Sequence, residues 1–304
     1  MSAEGLALQG DAVASGYGGP KRAFLRHWPL IVGFCIMAVP TLIRLSQQVW
    51  PLEIGAHGPI VLATGIWLLF HVRAELVAAM SKPPLALATL GFIASIALYA
   101  FGRPYDLLAL EVVGVYGFFL SAALLILGLR PMLLNLFPFL YLAFLVPPPA
   151  WVIDQVTAPL QMFVSAAATS VLEFAGYPIE RQGIVIYIAQ YQLLVEEACS
   201  GMNSLIGLAA VMLFYIYIIH RASVRYSVVL AAAILPIAVF VNILRVMALI
   251  LLTYYAGDEV AQGFLHVTTG VILFAVALGL TILLDKVLQG LLQRRRGHVE
   301  TRHA

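Results

Sequence analysis

The sequence predicts an all-α polytopic membrane protein: eight transmembrane helices, a short amphipathic helix on the outer face and a small β-hairpin. Three observations carry this. Hydrophobic residues make up 62% of the chain and charged residues only 11%, whereas soluble domains run near 45–50% and 25%. The apolar runs are long and unbroken, which excludes the ~10-residue alternating segments of a β-barrel. Lys and Arg fall in the short loops where they mark one side of a bilayer.

A spanning helix needs about 20 mostly apolar residues. Spans are expected at Trp28–Leu45, Pro59–Ala79, Pro84–Phe101, Leu107–Gly128 and Pro131–Val146. Three more follow at Met202–Ile219, Val228–Tyr254 and Phe264–Leu284. Residues 1–27 read as a flexible cytoplasmic tail, and no cleavable signal peptide is expected, because the run after Lys21, Arg22 and Arg26 is long enough to remain an anchor. Residues 28–285 form one membrane domain and 286–304 a basic cytoplasmic tail. Arg73 and Lys82, Arg130, and Arg221 with Arg225 mark further inside turns. The assignments agree only if Val152–Ala175 does not cross. It carries Asp154, Gln155, Ser165, Thr169 and Glu173, among other polar residues, as suits a helix lying along the outer face or dipping into it. Residues 147–199 then form one outer segment, entered through Pro147, Pro148 and Pro149. Gly183–Ile188 and Tyr191–Val195 are rich in β-formers and suggest a hairpin turning at Ala189-Gln190.

Composition removes several functions. Net charge is +2, which gives no case for nucleic acid as a partner. Cys35 and Cys199 are too few for a disulfide framework; Cys35 lies in an apolar helix and reads as packing. There is no Gly-rich phosphate loop and no His-x-x-x-His pair, so no metal or cofactor is expected. Arg44 and Arg103 read as interface anchors, and Glu111 either pairs with an arginine across the bundle or snorkels.

The polar residues that remain gather at one face. Cys199 opens the sixth span, where the positive end of a helix dipole favours thiolate. Arg245 lies eighteen positions beyond Ser227, about 27 Å up the seventh span at ~1.5 Å per residue. A buried cation there is costly, so it is expected to face the protein and to act. Asn242 shares its face. His266 opens the eighth span; of the seven histidines, only it and His57 are placed outside. A Cys beside a His forms a thiolate–imidazolium pair that attacks a carbonyl. An arginine stabilises the oxyanion, and the imidazolium protonates the leaving amine. A transporter would instead spread polar residues through the full bilayer depth. A non-catalytic assembly factor for polysaccharide export would tolerate loss of the thiol.

Glu196-Glu197-Ala198-Cys199-Ser200-Gly201 followed by Ser204, then Asn242-x-x-Arg245, then His266, resembles the signature set of exosortases and their archaeal relatives. The resemblance covers most of the chain. It implies a thiol transpeptidase-like enzyme of the bacterial inner membrane, with both termini cytoplasmic and its site facing the periplasm. Its partners would be exported, membrane-anchored proteins whose C-terminal sorting tail (PEP-CTERM-like) joins a short Pro-containing motif, one transmembrane helix and a basic end. The family is also associated with exopolysaccharide production. The resemblance implies Cys199 as nucleophile, His266 as base and acid, and Arg245 as transition-state stabiliser. Asn242, Glu197, Ser200, Gly201 and Ser204 would support them. Glu197 occupies a position where relatives often keep an acid. Neither Glu196 nor Glu197 receives a catalytic role, since an acid beside a thiol opposes its ionisation unless Arg245 offsets it.

Overall fold

A computed structural model describes residues 20–52, 55–194, 201–220, 224–257, 272 and 275–290. Within them the chain is helical apart from one small sheet. The helices are α1 (Pro20–Gln48), α2 (Gly58–His71), α3 (Arg73–Ala78), α4 (Leu85–Gly102), α5 (Leu108–Leu127), α6 (Leu129–Leu134), α7 (Leu136–Leu142) and α8 (Ala150–Phe174). The sheet follows, and then α9 (Gly201–His220), α10 (Val224–Ala256) and α11 (275–290).

Four stretches are long and apolar enough to cross a bilayer: Trp28–Gln48, Leu85–Gly102, Leu108–Leu127 and Tyr226–Ala256. Gly58–His71, Leu136–Leu145 and Ile206–His220 are apolar but shorter, and the outer part of the expected eighth span, residues 264–271 with 273 and 274, lies outside the described residues. Two expected spans are broken. The second stops at His71 and resumes at Arg73 across Val72. The fifth is interrupted at Asn135, between α6 and α7. Pro138 explains that break: it has no N–H for the carbonyl four residues back, at Leu134, and its ring crowds the same group. Val152–Ala175 becomes one continuous 25-residue helix, α8. Large apolar side chains such as Ile36, Leu90, Trp151 and Leu235 are more than 60% exposed. That surface suits lipid, as expected of a multi-pass membrane protein.

The chain divides into two compact units, Met1–Leu45 with Leu76–Leu134, and Ser46–Glu75 with Asn135–Ala304. In the first, α4 and α5 pack through small residues. A Cβ on Gly114 would come within 2.8 Å of the Ser95 carbonyl oxygen, and Gly91 and Gly117 face the hydroxyls of Ser121 and Ser95. Without a hydrophobic driving force between helices in lipid, close backbone approach supplies the contact. Glu111 is fully buried and accepts hydrogen bonds from Thr41 (2.7 Å), Arg44 (2.6 Å) and Arg103 (2.7 Å); Arg44 also pairs with Asp106. Arg44 and Arg103 are therefore ion-pair partners rather than interface anchors. A carboxylate at that depth needs compensation, and two guanidinium groups lie within reach. Cys35, expected to pack, is exposed on α1; a thiol behaves as a small hydrophobe and tolerates an apolar surrounding.

The second unit holds the sheet and the later helices. The expected hairpin forms, with β2 (Val185–Ile188) against β3 (Tyr191–Leu194) and Ala189 at positive φ (49°) in the turn. A third strand, β1 (Ile179–Gln182), pairs antiparallel with β2 and makes the order β1-β2-β3. Its Glu-Arg-Gln content hid it from a propensity reading. Arg181 donates to the Gly183 carbonyl at 2.8 Å across the β1–β2 turn. The inner face of the sheet buries Ile186, Ile188 and Leu193 against Val164, Ala168 and Leu172 of α8 and Val246 and Ile250 of α10. A second core joins α9, α10 and α11 through residues such as Met212, Ile234, Val241 and Ala277. A third joins α2, α7 and α9 around Leu68, Tyr141 and Ala210.

Candidate active site

Helices α9 and α10 form an antiparallel hairpin whose turn end is fixed by polar contacts. The Ser227 hydroxyl donates to the His220 carbonyl at 3.1 Å. The His220 ring Nε2 lies 2.8 Å from Asp285 of α11. From there both helices run toward the end where the predicted site residues fall. Nineteen positions separate His220 from Gly201, and nineteen separate Tyr226 from Arg245. At ~1.5 Å per residue each interval rises about 28 Å. The start of α9 and the Arg245 turn of α10 thus stand at matching height along the hairpin.

Arg245 and Asn242 are 5% and 4% exposed, and both are engaged by neighbours. An arginine buried to this degree is not snorkelling. It lies where α10 passes between its two cores: Ile243, Val246 and Met247 turn toward α8 and the sheet, while Ala238 and Val241 turn toward α9 and α11. The guanidinium therefore starts from the centre of the unit, not from its lipid surface. Such a cation in a low-dielectric setting acts strongly on any nearby anion.

Cys199, Glu196, Glu197, Ser200 and His266 lie outside the described residues. Gly201 and Ser204 fall in the first turn of α9, where only the backbone is described. What brackets Cys199 is described on both sides. Five residues before it, β3 ends at Leu194, one residue past Leu193, which packs in the core built on Val246 and Ile250 of α10. Two residues after it, α9 begins. Both flanks are elements packed against α10.

A residue that sequence reasoning noted only as the second outer histidine gains a defined setting. His57 caps the start of α2, and its Nε2 lies 3.1 Å from the Phe144 carbonyl. Because a carbonyl only accepts, Nε2 carries the proton and Nδ1 keeps its lone pair. Nδ1 is buried with no hydrogen-bond partner among the described residues. Burial holds the imidazole below its ordinary value, against the smaller upward pull of the Phe144 bond. His57 also presses on α9: a Cβ on Gly207 would meet its Cβ at 3.0 Å. A cavity of about 120 Å³ lies beside it, lined by Trp50, His57, Phe144 and Val146 among others. Among the described residues, no group of three or more His, Cys, Asp or Glu is placed to hold a metal ion.

The residues compared with known families settle the relationship. The model of the transmembrane exosortases matches residues 50–283. The chain belongs to that family. No curated protein and no solved structure matches it. The matched region of this exosortase runs from the turn before α2 into α11, and so takes in β3, the start of α9 and the Arg245 turn. It also contains Cys199, Asn242, Arg245 and His266.

Proposed function

We propose that this exosortase is a membrane-embedded cysteine peptidase or transpeptidase that cleaves C-terminal sorting tails of exported proteins at the outer face of the inner membrane. The Cys199 thiolate attacks the scissile carbonyl carbon, and the carbonyl π electrons move to oxygen. Arg245 stabilises that oxyanion. As the tetrahedral intermediate collapses, the C–N bond breaks and the His266 imidazolium gives its proton to the leaving amine. Water or an acceptor amine then attacks the thioester, with His266 taking back a proton, and the thiolate is released. Asn242, one turn before Arg245 on the same helix, helps to orient the guanidinium. Glu197, Ser200, Gly201 and Ser204 support the thiol.

The observation that carries this reading is the burial of Arg245 at the level where α9 begins, two residues after the thiol. A cation kept inside an apolar bundle needs a reason, and a developing oxyanion is one. The test is processing of a tail-bearing substrate in cells that carry Cys199→Ala or Cys199→Ser. Processing should stop with both. Continued cleavage in the Ala variant would sink the reading.

A further inference from the structure

Asp285 sits at the other end of the three helices from that site, and no part of the proposed chemistry uses it. Its side chain is 2% exposed. Its carboxylate accepts from the Tyr226 hydroxyl at 2.6 Å, the Tyr215 hydroxyl at 2.8 Å, the His220 Nε2 at 2.8 Å and the Gln289 amide at 3.1 Å. A carboxylate offers about four lone-pair sites, so its capacity is filled. Tyr215 and His220 come from α9, Tyr226 from α10, and Asp285 and Gln289 from α11. One buried group therefore ties together three helices.

Two of those helices lead to residues of the proposed site, and α11 follows the third in sequence. Cys199 lies two residues before α9, Arg245 is on α10, and His266 precedes α11 in sequence. The spacing is the same in each case. Gly201 is nineteen positions from His220, Arg245 nineteen from Tyr226, and His266 nineteen from Asp285. Between the two ends, the contact among the helices is mostly apolar, with Leu208, Met212, Ile234, Ala238 and Ala277 typical, and the Thr281 hydroxyl of α11 adds one weak bond to the Met212 sulfur of α9 at 3.3 Å. Apolar packing is non-directional, and in a bilayer it lacks even the drive to exclude water. It resists separation of the helices better than sliding of one along another. The Asp285 hydrogen bonds are directional and short, and a slip of one residue, ~1.5 Å along a helix axis, breaks them. A helix is stiff along its axis, so the same slip would appear undiminished at the far end, where an error of ~1 Å costs about 100-fold in rate.

We infer that Asp285, with Tyr215, His220 and Tyr226, is a register pin: a set of positioning residues that aligns α9, which follows Cys199 in sequence, with α10, which carries Arg245, from the opposite end of the bundle. The inference rests on the proposed cysteine mechanism, since it is that site which the pin aligns.

The test uses the full chain in membranes, with a tail-bearing substrate and with Asp285→Asn, Tyr226→Phe and Tyr215→Phe. Asn keeps the size of Asp285 but replaces one acceptor by a donor. Turnover per folded molecule should fall at least ~10-fold for Asp285→Asn, with KM within about 2-fold of the parent, the split expected when alignment and not binding is lost. Tyr226→Phe should cost more than Tyr215→Phe, following their 2.6 and 2.8 Å bonds. The rate of Cys199 alkylation against pH gives a second readout, because a thiolate held by Arg245 and His266 titrates below the ordinary ~8.5 of a thiol. In Asp285→Asn that midpoint should move up toward the free-thiol value. Parent-level turnover in Asp285→Asn, or a loss that only follows the amount of folded protein, overturns the pin. Should Asp285→Asn fail to accumulate, the two Tyr→Phe variants decide, and parent-level turnover in both overturns it. Cys199→Ala run beside them separates the two ideas. If it is inactive while Asp285→Asn is normal, only the pin fails; if it is active, the cysteine mechanism fails first.

Discussion

Among the described residues, each of the two units buries one carboxylate between its helices, and the two are neutralised differently. Glu111 is met by two guanidinium groups and a threonine hydroxyl, joining α1 and α5 with the Arg103 turn that follows α4. Asp285 is met by two phenols, an imidazole and an amide, joining α9, α10 and α11. The first is a compact ionic cluster that also draws in Asp106. The second spreads one charge over largely neutral, directional donors. The ionic cluster fastens helices that carry none of the predicted site residues, and the hydrogen-bonded cluster fastens those that do. Strength of attachment and accuracy of alignment are separate tasks, and the chain solves them with different chemistry.

The sharpest way to break this contrast is to remove each carboxylate in turn. Glu111→Ala leaves Arg44, whose side chain is 15% exposed, with its buried anion gone. Loss of one partner of a buried pair costs about 3–5 kcal/mol, so this variant should show the largest drop in thermal or denaturant stability of the purified protein. Turnover of the molecules that remain folded should stay within about 2-fold of the parent by the same logic of unchanged transition-state contacts. A large loss of turnover per folded molecule in Glu111→Ala would erase the distinction between the clusters. Next in size is Gly114→Ala. Its new Cβ would meet Ser95 and Tyr99 backbone atoms at 2.8 Å, and such overpacking costs about 1–3 kcal/mol. It tests whether α4 and α5 depend on close backbone approach as well as on the ions beside it. Smaller again is Arg103→Ala. Arg103 is 40% exposed where Arg44 is 15%, and a solvated pair is worth roughly 0–1 kcal/mol. Arg103→Ala should therefore be milder than Arg44→Ala in the same unfolding measurement, and equal effects would show that Glu111 does not distinguish its two cations by burial.

Much of this was legible in the sequence, for stated reasons. Trp28–Leu45, Pro84–Phe101, Leu107–Gly128 and Val228–Tyr254 were readable because hydropathy and flanking breakers such as Pro84 and Gly128 mark both ends. The break at Asn135 was not, because Pro138 sits inside an apolar run whose composition still reads as one span. β1 was missed because Glu180, Arg181 and Gln182 sit on a strand that is half exposed, so no alternation of apolar residues announces it. Arg245 announced itself by being a cation in an apolar helix, and its burial agrees. Cys199 and His266 lie outside the described residues, and their roles rest on the motif. Asp285 gave no signal at all. It stands beside Lys286 just past the expected eighth span, where an acid ordinarily reads as solvated, and only the tertiary approach of Tyr215 and Tyr226 shows it buried.

The smallest effect concerns another polar contact of the second unit, at His57. Burial holds this imidazole below its ordinary value in the folded chain, while in the unfolded chain it titrates near ~6.5. The unfolded state thus binds the extra proton first as the pH falls. Stability rises with pH wherever the unfolded state binds more protons, so His57 leaves stability untouched at neutral pH and lowers it as the pH drops through about 6.5. His57→Gln tests this, because a Gln amide can still donate to the Phe144 carbonyl but does not titrate. The midpoint of thermal unfolding should fall less between pH 7.5 and pH 5.5 in His57→Gln than in the parent, values chosen to straddle the ~6.5 of a free imidazole. An equal fall in both would mean that the imidazole takes up its proton as readily folded as unfolded. That would require the buried Nδ1 to have found an acceptor or water, and the small cavity beside His57 is where such a group would have to lie.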